Sequence, residues 1–279
     1  MTDRNQPTST IAVLGGGVMG GAIAAGAVAA GWPGAQVRVA DMNAERLAQL
    51  NAELGVTTFT SLAEAVSGAD VIVFAVKPQD AADAVAGFAD AVAPGTLLLT
   101  VAAGLPASFY ESRLPAGTPV VRAMPNTPAL IGAGATGIAP GAHATDEHLA
   151  LAEQVLGATG LVVRVTEEQI LGVGAVSGSG PAYFFAFVEA LTESGITLGL
   201  DRELASQLAA QTLIGAGRLL ESSDVGPGEL RARVSSKGGT TLAALGAMSD
   251  AGLQTVVAVG LAANERRAKE MAEEFTGGT

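Results

Sequence analysis

Thr10-Ile-Ala-Val-Leu-Gly-Gly-Gly-Val-Met-Gly20 decides the fold. Ile11 to Leu14 is a short apolar run ending in glycines, as a buried strand does. Gly15-x-Gly17-x-x-Gly20 follows, and Gly17 to Ala30 reads as an Ala-rich helix stopped by Gly31 and Pro33. In such a strand–turn–helix unit the first glycine permits the tight turn. The second lets a pyrophosphate approach the backbone, and the third lets helix pack on strand. The helix N-terminus faces the phosphates. A dinucleotide site is therefore expected at Leu14, Gly15, Gly16, Gly17, Val18, Met19 and Gly20. A purely structural glycine turn is the alternative.

Ile11 to Ala35 carries no charge, yet it is not read as a membrane span. Its eight glycines and Pro33 divide it into strand, turn and helix. Further apolar runs follow: Val37–Ala40, Val56–Phe59, Asp70–Val76, Thr96–Val101, Pro119–Ala123, Ala135–Ala139 and Leu161–Val165. Helical stretches fall between them, at Ala44–Leu54, Ser61–Val66 and Gln79–Val92. This alternation predicts an α/β fold with a doubly wound parallel sheet. After Thr166 the strand signals stop, and Glu167–Val173, Pro181–Leu198, Arg202–Leu220, Gly239–Met248 and Leu253–Glu274 all read as helices. The expected organisation is a loose polar tail over 1–9, a dinucleotide-binding domain over 10–165 and an all-α domain over 166–279. The helices are apolar and rich in small residues, which favours burial against a second copy of the chain.

Composition narrows the function. The formal net charge of −12 argues against a nucleic-acid binder. The absence of cysteine excludes thiol nucleophiles, disulfides and thiolate metal sites, and fits a reducing, cytoplasmic setting. The two histidines, His143 and His148, read as surface residues, and no metal site is expected.

Asp41 ends the second strand, 21 residues beyond Gly20, where an acidic residue accepts hydrogen bonds from ribose hydroxyls and disfavours a 2′-phosphate. An ordinary capping Asp is the alternative. Arg38 and Arg46 lie close by and could supply counter-charge for NADPH. Ala75-Val76-Lys77-Pro78 follows the most apolar strand, at the carboxyl end where open α/β sheets bind ligands. Arg122-Ala-Met-Pro-Asn126-Thr-Pro128 is a turn stiffened by two prolines, with Asn126 able to bond backbone or ligand. Ser177-Gly-Ser179-Gly-Pro-Ala-Tyr183 opens the first long helix with hydroxyls and N–H groups at its positive end. Val234-Ser-Ser236-Lys237-Gly238-Gly239-Thr240-Thr241 packs hydroxyls, a cation and glycines into a loop able to wrap a small anion.

Together these segments resemble the pyrroline-5-carboxylate reductase family over about Thr10 to Glu274. The Arg122–Pro128, Ser177–Tyr183 and Val234–Thr241 segments are the most specific. Many members carry proline where this chain has Lys237. The resemblance implies a Rossmann domain followed by a helical dimerisation domain, with assemblies from dimer to decamer. It implies hydride transfer from NADPH, with NADH possible, to L-1-pyrroline-5-carboxylate, giving L-proline. By the same resemblance Thr241 is catalytic, its hydroxyl meeting the ring nitrogen. Asn126, Ser177, Ser179, Ser236, Lys237, Gly238, Gly239, Thr240 and Thr241 then line the substrate site, and Ala75, Val76, Lys77 and Pro78 join the glycine loop and Asp41 around the cofactor. Two other classes compete. A β-hydroxyacid dehydrogenase would carry a helical Lys-x-x-Asn, and Lys269 has no Asn three residues on. A dinucleotide-sensing domain would lack a second anion-cradling loop.

Overall fold

The computed structural model describes residues 8–276. Two compact units emerge: one runs to Gly178 and takes in the chain from Asn264 onward, the other is Ser179–Ala263.

The first unit is built on an eight-stranded sheet. Its strands are β1 (Ile11–Leu14), β2 (Val37–Ala40), β3 (Thr57–Phe59), β4 (Val71–Phe74), β5 (Leu97–Thr100), β6 (Val120–Met124), β7 (Gly134–Pro140) and β8 (Gly160–Arg164). The order is β3-β2-β1-β4-β5-β6-β7-β8. The strand order reverses between β1 and β4, the switch point where a doubly wound sheet opens a crevice. Helices α1 (Val18–Ala29), α2 (Ala44–Leu54), α3 (Leu62–Val66), α4 (Ala81–Ala86), α5 (Ala107–Glu111), α6 (Asp146–Leu156) and α7 (Ile170–Val173) connect the strands or follow the last. Each sheet face carries its own core. Ile11, Val13, Val71 and Val73 pack with Ile23 and Trp32 on one side. Leu14, Ile72 and Phe74 pack with Phe88, Leu105 and Tyr110 on the other. Burial on both faces explains why β1 and β4 read as unbroken apolar runs.

The sheet is not wholly parallel. β7 pairs antiparallel with β6, and β8 then runs parallel to β7. Only a short stretch, holding a 3₁₀ turn at Thr127–Ile131, separates β6 from β7. A parallel return needs a crossover of a dozen or more residues, so this connection reverses the strand. The helix expected over Gln79–Val92 is also broken, into α4 flanked by 3₁₀ turns at Pro78–Asp80 and Ala89–Ala91. Gly87 caps α4, where a residue of low helix propensity ends the winding. α5 was not signalled by the sequence. α6 starts behind Thr145, which forms a reciprocal cap with His148. Of the polar tail, Thr8 and Ser9 are described, and the Ser9 carbonyl accepts the Trp32 indole N–H at 3.1 Å. The remainder of that expected tail lies outside the described residues.

The second unit is all helix: α8 (Gly180–Thr197), α9 (Arg202–Glu221), α10 (Pro227–Arg233), α11 (Thr240–Asp250) and the first part of α12 (Leu253–Thr276). The short α10 is an addition to the expected set. This unit keeps little interior. Phe184, Phe185, Phe187, Val256, Val257 and Val259 are all exposed, and Ala205 and Ala209 are its only buried hydrophobics among the described residues. The helical run Ile170–Thr197 is long and apolar enough to cross a membrane by length and composition alone. Ile11–Ala35 divides into strand, turn and helix as expected.

Candidate active site

Gly15 takes φ +99° at the end of β1, and a Cβ there would lie 2.7 Å from the Ala75 carbonyl oxygen. Glycine is obligatory at such a position. Gly20 is equally constrained, because a side chain would strike the Gly15 carbonyl. Gly17 differs. It caps α1 with φ −63° and ψ −161°, which any residue can adopt, and a Cβ there would meet nothing within 4 Å. Nothing inside the protein demands glycine at Gly17. The open space lies at an uncapped helix start, with no acidic residue in the first turn. A pyrophosphate fits there by both shape and charge.

Asp41 stands beside this loop. Its carboxylate accepts the Gly16 N–H at 2.7 Å and the Asn43 N–H at 2.8 Å. Arg46, on α2, donates from Nε to the Gly16 carbonyl at 2.7 Å and from a terminal nitrogen to Gln49 at 2.8 Å. Arg38 is committed elsewhere, to the carbonyls of Ala65 and Ser67. The structure thus separates the two arginines that the sequence left equal: Arg46 borders the glycine loop and Arg38 braces α3. Across the crevice, the Ala75 N–H donates to Leu14 at 2.8 Å. Lys77 then follows, exposed, before Pro78 opens its 3₁₀ turn.

At the end of β6, Asn126 is buried and its amide is engaged at both ends. Its Nδ2 donates to the Ser177 carbonyl at 3.0 Å, and its Oδ1 accepts the Ala135 N–H at 2.9 Å. The Arg122 side chain is also buried and pairs with Glu167 at 2.6 Å. That arginine is an internal strut, a role the sequence did not announce. Helix α8 begins at Gly180 with Pro181 in its first turn, as expected. The chain before it is already helical, however, and winds as a single π turn over Gly174–Gly178. The Ser177 hydroxyl returns to the Val173 carbonyl at 2.9 Å. The segment is therefore a deformation inside a helical run, not an isolated helix start.

In the helical unit, the loop after α10 turns through Gly238 at φ +74° and enters α11 at Gly239. The Gly239 N–H is spent on the Ser236 carbonyl at 2.9 Å. Gly239 supplies no side-chain cap, so the first-turn N–H groups of α11 lack one. Thr240 and Thr241 occupy that turn, both exposed along with Ser236, Lys237 and Gly238. The arrangement presents uncapped N–H donors beside two hydroxyls, the donor set that a small carboxylate needs. A hollow of about 410 Å³ adjoins the loop, bordered by Arg231, Ser235, Leu242 and Leu245. Arg231 carried no motif signal in the sequence. Among the described residues no cluster of His, Cys, Asp or Glu could hold a metal ion.

A glycine turn at a sheet switch point, with a separate loop of uncapped N–H groups and hydroxyls in a helical unit, suits an NAD(P)-dependent oxidoreductase of a small anionic substrate. Comparison with known proteins narrows this class. A family model described as pyrroline-5-carboxylate reductase dimerisation matches residues 167–271. Another, NADP oxidoreductase coenzyme F420-dependent, matches residues 10–104. The pyrroline-5-carboxylate reductase of Pseudomonas aeruginosa is 42% identical over 269 residues, covering 96% of this chain and 98% of that one. The solved pyrroline-5-carboxylate reductase of Coxiella burnetii superposes with a TM-score of 0.91 at 35% identity, over 95% of this chain and 99% of that one. The Plasmodium falciparum pyrroline carboxylate reductase, solved with NADP bound, shares the fold at a TM-score of 0.82 and 24% identity, over 96% of this chain and 100% of that one. The chain belongs to the pyrroline-5-carboxylate reductase family.

Proposed function

We propose that the chain reduces L-1-pyrroline-5-carboxylate to L-proline, seating the dinucleotide on the Gly15–Gly20 loop and the substrate on the Ser236–Thr241 loop. The observation that carries this reading is the start of α11, where Gly239 leaves first-turn N–H groups without a side-chain cap beside the Thr240 and Thr241 hydroxyls. NAD(P)H, when bound, supplies the hydride. The substrate is a cyclic imine, basic enough to be protonated on nitrogen, so the reaction needs no strong general acid. The protein's task is orientation and exclusion of water. The Thr241 hydroxyl accepts a hydrogen bond from the protonated ring nitrogen, and backbone N–H groups of the loop hold the carboxylate. Because the Gly239 N–H already serves Ser236, that task falls to its neighbours.

Asp41 and Arg46 frame the ribose corner with opposite charges. The carboxylate suits the 2′-hydroxyl of NADH and the guanidinium suits the 2′-phosphate of NADPH. Both cofactors are accepted on this reading, with Arg46 favouring NADPH. The exposed apolar helices of the second unit pair in a dimer, and dimers assemble further up to a decamer. The protein works in the cytoplasm, in keeping with a chain free of cysteine. The reading is tested by following NAD(P)H oxidation with pyrroline-5-carboxylate and identifying proline as the product. Absence of turnover by folded, assembled protein overturns it.

A further inference from the structure

We infer that Asn126 is a positioning residue that stands in for the N–H that Pro181 lacks, and so fixes the π turn presenting Ser177 and Ser179. The role rests on the proposed function and on the place beside the substrate that the family resemblance implies for those two serines.

In regular α-winding the Ser177 carbonyl would receive the N–H of residue 181. Proline has none, so that carbonyl is left without its helical donor. The Asn126 Nδ2 fills the position at 3.0 Å, from a strand end 51 residues earlier. The other end of the same amide is equally determined. Ala135 offers only an N–H, and it reaches Oδ1 at 2.9 Å. One partner can only accept and the other can only donate, so chemistry fixes which end of the amide faces which. Asp would set a second acceptor against the Ser177 carbonyl. Ala would abandon both partners. Asn126 is buried, so water replaces neither bond freely.

The packing agrees. A Cβ at Gly178 would lie 2.7 Å from the Met124 methyl carbon, so glycine lets the turn lie against the end of β6 without displacing that flexible side-chain tip. The π winding itself places one extra residue in the helix. Such bulges occur disproportionately where a side chain must be aimed. β6, β7 and the π turn are thus joined through one amide at the end of the sheet.

The test is a double-mutant cycle between Asn126→Asp and Pro181→Ala. Asp keeps the acceptor for Ala135 and loses the donor; Ala at 181 restores a backbone N–H for Ser177. In the native background Asn126→Asp is expected to lower kcat/KM for pyrroline-5-carboxylate by about tenfold or more, with Kd for NADPH moving much less. In the Pro181→Ala background the same change should cost less than about threefold. If Asn126→Asp alone does not fold, recovery of folding on adding Pro181→Ala is the expected result. An equal loss in both backgrounds, or no recovery, overturns the inference. Coupling seen in the melting temperature with kcat/KM unmoved also overturns it, since the amide would then be a clamp without influence on the substrate. Ser179→Ala, measured alone, separates this from an error in placing the serines: unchanged kcat/KM there faults the serine and not the amide.

Discussion

The Asp41 carboxylate accepts the Gly16 N–H at 2.7 Å, so the acid proposed to meet the ribose also anchors the loop proposed to meet the phosphates. Changing Asp41 to Asn keeps an acceptor for Gly16 and removes the charge. The ratio of kcat/KM for NADPH over NADH should rise by about tenfold, the equivalent of roughly 1.4 kcal/mol. Arg46→Ala should lower that ratio. Arg38→Ala should leave it in place and lower the melting temperature, because its partners are the Ala65 and Ser67 carbonyls. Steady-state kinetics with both cofactors decides the matter. An unmoved ratio in Asp41→Asn places the ribose elsewhere.

Gly17→Ala should fold and melt like the parent, since the added methyl meets nothing within 4 Å and the backbone angles suit alanine. Its Kd for NADPH should rise by a factor of ten or more, on the order of 1–2 kcal/mol, because the methyl occupies the approach of the pyrophosphate. Cofactor titration against thermal melting separates the two effects. Tight NADPH binding by this variant would refute the cradle.

Thr241→Ala should lose about ten- to a hundredfold in kcat/KM, the equivalent of a lost buried hydrogen bond of roughly 1–3 kcal/mol. Thr241→Ser should retain more. The helix cap is Gly239, so Thr241 does not hold the start of α11 through a side-chain cap. The melting temperature should therefore stay near the parent value. A variant that melts early with undiminished kcat/KM would make Thr241 a helix-stabilising residue only.

Tyr110 makes a prediction in alkali. Its ring is buried and its hydroxyl meets Thr100 at 2.9 Å. Burial pushes its pKa up to about 12, against the lesser opposing effects of the Thr100 hydrogen bond and the nearby Arg122 charge. The unfolded chain releases this proton near pH 10 while the folded protein holds it. The unfolded state thus binds fewer protons between about pH 10 and 12, and stability falls as pH rises through that window. Below pH 10 the contribution is fully present. Tyr110→Phe should flatten the decline in denaturant midpoint between pH 10 and 12, and an identical slope would show that another group governs it.

The first unit was readable because its signals are local. Two-sided burial makes β1 and β4 unbroken apolar runs, and Gly15 declares its turn by a conformation only glycine takes freely. The direction of β7 is different, for it follows from the length of a connection and not from any residue in the strand. The division of labour between Arg38 and Arg46 was equally hidden: both lie within a few residues of Asp41, and only the folded chain sends one to α3 and the other to the glycine loop. The π turn at Gly174–Gly178 has no periodic signature. The donor that serves its carbonyl comes from Asn126, across a separation that no sequence window spans. Asn126 drew notice as a ligand candidate, and its amide is occupied by backbone on both sides.

The helical unit keeps Phe184, Phe185, Phe187, Val256, Val257 and Val259 on the outside, with two alanines as its buried hydrophobics among the described residues. For such a body, acquiring a partner and acquiring an interior are the same event. Its free energy of folding then contains the logarithm of protein concentration, as it does for any state that only an associated species populates. Dilution becomes a denaturant. Melting temperature and specific activity should both climb with the amount of enzyme in the tube, and a value quoted without that amount describes a mixture and not a protein.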